Sequence, residues 1–143
     1  MTTLYSRRHT RKNSDHEYVV MMCDTPNANG RIYPLATGID VVQKFNSSPT
    51  QMVGGFMDDI GYAGTVDLEQ VAHVVTGLEM RGKEMVAKIR PLNTPKGQIL
   101  AGLIALDLVE FRTGGLFSGV FGSGIIRDFQ LTTIFALAKG EGA

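Results

Sequence analysis

The chain has 143 residues and a mass of 15.5 kDa, with 43% apolar side chains and a mean hydropathy of +0.03. That fits one domain with an ordinary core and excludes a wholly disordered chain. Lys plus Arg and Asp plus Glu each total 14, so the basic excess of a protein built to coat nucleic acid is missing. The longest apolar runs, such as Leu103 to Leu106, fall far short of the roughly 20 residues that span a bilayer. The basic N-terminus is followed by no apolar stretch of the kind a secretory signal needs. Cys23 is the single cysteine and forms no internal disulfide, which points to a reducing cytoplasm or a particle assembled there.

The first 17 residues carry Arg7, Arg8, Arg11 and Lys12 with His9 and His16, and few apolar side chains. They read as an extended or mobile basic arm that orders on a partner, ahead of a single domain over 18–143. Tyr18 to Cys23 predicts a buried strand. Asp24, Pro26, Asn27, Asn29 and Gly30 make a loop, since these residues tolerate or preset turn dihedrals. Pro34 then opens a helix to about Phe45, with Leu35, Ile39, Val42 and Phe45 at helical spacing. Gln51 to Gly64 is glycine-rich and lacks periodicity.

Val71 to Ile89 alternates as a long hairpin around Arg81-Gly82-Lys83. Thr94 caps a second helix that begins at Pro95, with Ile99, Leu103 and Leu106 on one face and Leu100 and Ile104 alongside. Thr113 to Gly124 holds five glycines in twelve residues and reads as a flexible or tightly turning loop. Asp128 to Ala138 is the last strand. The order predicts an α+β fold, an antiparallel sheet or small β-barrel with flanking helices.

Chemistry is sparse. No phosphate-binding loop, zinc spacing or calcium loop is present, and Asp58, Asp59, Asp67 and Glu69 read as a solvated loop. No cofactor or metal is expected. His73, between Val71 and Val75, reads as a core histidine in preference to a base. Cys23 has no adjacent cation to lower its pKa and reads as an unreactive thiol.

Asn27-Ala-Asn-Gly-Arg-Ile-Tyr-Pro34 resembles the signature near the start of the tailed-phage prohead proteases, serine proteases that mature capsids. Further segments follow in the family's order: Gly55 to Asp59, Val66 to His73, Leu92 to Leu100, Phe111 to Leu116 and Phe129 to Ala136. Together they span roughly residues 18–138. Carried over residue by residue, the resemblance puts the family's histidine at or near Asp59, with Ile60 in place of its proline. The nucleophilic serine falls near Thr113, and the acidic residue of the last strand falls near Ala136. A hydroxyl with an aspartate for a base is a poor nucleophile at neutral pH, so no peptidase activity is expected. The chain also ends soon after the last strand, leaving no tail for self-removal.

The resemblance therefore implies a non-enzymatic virion protein that binds the capsid shell as a decoration, cement or minor head protein. Its expected partners are the major capsid protein, copies of itself and other head proteins, with no specific nucleic acid and no membrane. Arg7, Arg8, Arg11 and Lys12 of the arm are the first candidate contacts. Leu116, Phe117, Val120 and Phe121 of the glycine-rich segment are the second. Two alternatives stand beside this reading. One is an active maturation protease using Thr113 or a nearby serine (Ser118 or Ser123) with His73; the other is a transient internal scaffold protein.

Overall fold

The computed structural model describes residues 15–60, 67–118 and 124–140, together with the backbone of residues 7–8. Antiparallel pairing builds a five-stranded sheet from β1 (Arg7–Arg8), β2 (His16–Met22), β3 (Met52–Gly54), β4 (His73–Arg81) and β5 (Glu84–Pro91), in the order β1-β2-β5-β4-β3. A second sheet is the ribbon of β6 (Val109–Ser118) and β7 (Asp128–Ala138). Among the described residues three α-helices flank them: α1 (Leu35–Ser47), α2 (Met57–Ile60) and α3 (Pro95–Ala105). The fold is α+β, as the sequence predicts.

The β4–β5 hairpin forms because apolar side chains such as Val74, Val75, Leu78, Met85, Val86 and Ile89 cover both sheet faces and Gly82 takes the left-handed turn conformation at φ 62°. The core lies between the sheets and helices, around Tyr18, Met85, Ile89, Leu100, Ile104, Phe111, Ile126 and Ile134. Thr94 caps α3 by accepting from the Gly97 N–H at 3.0 Å, with Pro95 in the first turn.

The sheets do not close into a barrel, which corrects the barrel form of the expectation. Among the described residues β7 reaches the β3 side through separate bonds and one isolated bridge, Phe56 to Ala136. Thr133 Oγ1 donates to the Val53 carbonyl at 2.8 Å, and the Ala136 N–H donates to the Gly55 carbonyl at 2.9 Å. β3 is three residues long and the chain turns into α2 just beyond it, so no ladder can extend there.

Three local expectations also change. Thr113 to Ser118 is strand, because every residue from Val109 to Ser118 finds a register partner on β7, with one irregularity at Gly114/Gly115. On α3 the buried stripe is Gly97, Leu100 and Ile104, while Ile99 and Leu106 face outward. On α1, Thr37, Gly38 and Val41 are buried and Ile39 is exposed. In each helix one buried glycine, Gly38 on α1 and Gly97 on α3, sits on the side of closest packing, where an added side chain would collide with a neighbour.

Candidate functional site

The Asn27–Pro34 run is a tightly tied loop. Asn27 Oδ1 accepts from the N–H groups of Asn29 and Arg31, each at 2.9 Å. Gly30 sits at φ 74° and donates its N–H to the Asn27 carbonyl. Ile32 is held from both sides: its N–H donates to the Gly124 carbonyl, and its carbonyl accepts from Ile126. Asp24 secures the exit by accepting the Leu35 N–H at 3.0 Å. This leaves the Arg31 guanidinium over the Phe117 ring, 4.6 Å from its centroid, and sets Tyr33 edge-on to Phe129 at 5.3 Å.

Asn27, Ala28, Asn29, Arg31 and Tyr33 line a cleft of about 460 Å³. Arg112 to Gly115 and Phe117 of β6 line it too, as do Met57 and Asp58 of α2 and the apolar side chains of Val20, Met21, Phe129, Phe135 and Leu137. Arg112 is fixed, donating to the Phe111 carbonyl and to Glu110 Oε2, both at 3.0 Å. Glu110 is almost wholly buried, and its Oε1 has no hydrogen-bond partner among the described residues. Arg112 thus neutralises a buried carboxylate while reaching the cleft.

The positions matched to a catalytic triad divide. Thr113 lines the cleft, and α2, which carries Asp59, borders it. The Asp59 carboxylate itself is paired with Lys96 Nζ at 3.2 Å, tying α2 to the first turn of α3, while its neighbour Asp58 lines the cleft. Ala136 is buried opposite Phe111 in the β6–β7 ladder and does not line the cleft. His73 is fully buried, with its ring edge-on to Phe111. Its Nε2 lies 2.7 Å from the Ile134 carbonyl, and since a carbonyl can only accept, Nε2 carries the proton. Burial pushes the imidazole down to about 4, against the opposing pull of that carbonyl. No hydrogen bond joins His73 to Thr113 among the described residues.

Of the candidate partner contacts, Leu116 and Phe117 are exposed near the cleft mouth, at 58% and 39%. Arg7 and Arg8 form β1, with their backbone opposite Tyr18 and Glu17. Arg11, Lys12, Val120 and Phe121 lie outside the described residues, as does Ser123. Cys23 is buried and its thiol is pushed up to about 11, mainly by burial and also by Asp24. Sequence reading missed Glu110 and Arg112 as site residues. Their signal is two opposite charges two residues apart on one strand, invisible until that strand is recognised.

No family model and no curated protein matches the chain. Among solved structures it is similar to the bacteriophage T4 capsid assembly protease, gp21, with a TM-score of 0.68 and 22% sequence identity. The match covers 85% of this chain and 79% of that one. The fold therefore resembles that of a prohead protease.

Proposed function

We propose that the chain is a non-enzymatic structural protein of a tailed-phage head, built on a protease-like fold and bound to the capsid shell as a decoration, cement or minor head protein. One observation carries the reading. Thr113 shares its cleft with Asp58, Arg31 and Arg112, whereas the His73 imidazole is sealed in the core and bound to the Ile134 carbonyl. A lone carboxylate and two guanidinium groups are not the general base that a hydroxyl nucleophile needs. They do suit binding, because fixed cations beside aromatic and aliphatic side chains hold a peptide segment in place. Fold alone grants no activity, so the fate of the site decides.

The partners on this reading are the major capsid protein, other head proteins and further copies of the chain, with Leu116, Phe117 and the basic arm as contacts. Two measurements test it together. Quantitative mass spectrometry of DNA-filled particles should find the full-length chain in a fixed ratio to the major capsid protein. Fluorophosphonate treatment of the purified protein should leave Thr113 and Ser118 unmodified. A stoichiometric hydroxyl adduct would return the protein to the proteases, and its absence from finished particles would make it a transient core component.

A further inference from the structure

The two edges of β2 are served unequally. β5 pairs with one edge from His16 to Met22. On the other, among the described residues, β1 pairs only with Glu17 and Tyr18. Val19, Val20 and Met21 beyond them are nevertheless buried, and no other described strand pairs with them there. Buried N–H and C=O groups are nearly always paired, so this edge calls for a strand. Space for one adjoins it. Val20 and Met21 both line the cleft, since the β2–β5 ladder shifts between Val19 and Met21. Across the cleft stand four successive residues of β6, Arg112 to Gly115. Side chains on a strand alternate, so a groove lined by successive residues runs along the strand's edge.

We infer that residues 3–6 continue β1 along this edge and seat Leu4 and Tyr5 in the cleft. Register points there. Arg7 faces Tyr18 and Arg8 faces Glu17, so each step back along the antiparallel arm advances one residue on β2. Ser6, Tyr5 and Leu4 then fall opposite Val19, Val20 and Met21. Composition agrees. Leu4 and Tyr5 are the only large apolar side chains between Thr2 and Asp15, and residues 1–6 carry no charged side chain. They match the apolar part of the lining, Tyr33, Phe129, Phe135 and Leu137. Charge begins at Arg7, opposite Tyr18, which does not line the cleft. The chain's own arm is favoured over a foreign peptide because β1 already anchors it, which gives the segment a high effective concentration at the edge. The added strand lies between β2 and β6 and so bridges two sheets that share no ladder among the described residues. A head-protein segment entering the cleft would displace it, a step that rests on the function proposed above; the seating of the arm does not.

The chain has no tryptophan, so Tyr5→Trp introduces a single fluorescent reporter, with Thr10→Trp as the reference outside the added strand. In the full chain the indole at position 5 should emit to the blue of the reference and be quenched several-fold less by acrylamide. This shielding should not depend on concentration from about 1 μM to about 100 μM. Equal emission and quenching at the two positions overturn the inference. Shielding that appears only as concentration rises overturns it in favour of an arm exchanged between copies. Hydrogen exchange gives a reading free of the added ring. An amide among Val19, Val20 and Met21 should exchange about tenfold faster or more in the double variant Leu4→Asp, Tyr5→Asp, while amides of the β4–β5 pairing are unchanged. A folded double variant with unaltered exchange along β2 overturns the proposal equally. If the double variant fails to fold, the fluorescence comparison decides alone.

Discussion

The β4–β5 hairpin and the β6–β7 ribbon are both long antiparallel pairs, yet they do opposite work. The hairpin lies in the middle of the five-stranded sheet, flanked by β2 and β3, and its central side chains are buried. Among the described residues the ribbon has no third strand. Its root at Val109 to Phe111 is buried, and its far end at Leu116 to Ser118 is exposed. A pair paired on both sides gives rigidity; the ribbon, outside that sheet, supplies a wall for the cleft.

The sharpest way to break this contrast is at the root. Phe111 is fully buried against Tyr18, with ring centroids 4.5 Å apart, and against His73. Phe111→Ala should cost about 3–5 kcal/mol in urea unfolding; a loss below 1 kcal/mol would mean that the ribbon does not share the common core. Next comes pH. His73 is held down to about 4 in the folded chain, while the unfolded imidazole titrates near 6.5, so below that value the unfolded state binds the extra proton. Stability is complete above about pH 6.5 and declines as pH falls toward 4, by on the order of 3 kcal/mol. The decline should be much reduced in His73→Gln, as measured by denaturant unfolding at each pH.

Midway along the ribbon, a side chain at Gly115 would collide with the Gln130 carbonyl of the facing strand. Gly115→Ala should cost about 1–3 kcal/mol and shift backbone amide signals on both strands. The smallest effect belongs to the far end. Phe117→Ala removes only an exposed ring stacked on Arg31 and should change stability by no more than about 1 kcal/mol. It should nevertheless weaken retention on capsid shells in a co-sedimentation assay, and unaltered retention would remove Phe117 from the binding surface.

How much of this was legible in the sequence follows the same divide. The hairpin, the Thr94-Pro95 helix start and the span of β7 were readable because alternation, capping chemistry and β-branched residues announce them locally. β6 was not. Its identity depends on a partner strand across a chain reversal, and its paired glycines carry no periodicity. The cleft was half legible. The Asn27–Pro34 run and Thr113 were singled out, but the Glu110–Arg112 pair depends on the strand that went unrecognised. The outward stripe of α3 was hidden for another reason: a helix apolar on two sides does not say which side is the inside.

The clamp on the Asn27–Pro34 loop also has a temporal meaning. Ile32 is held by Gly124 and Ile126, and His73 by Ile134, all partners far downstream in the sequence. While the N-terminal two-thirds emerge during synthesis, β2, β4 and β5 can pair, but the loop has nothing to lean on and the cleft has no second wall. Contacts this distant in sequence form late. The second wall of the cleft therefore forms after the sheet that it leans on.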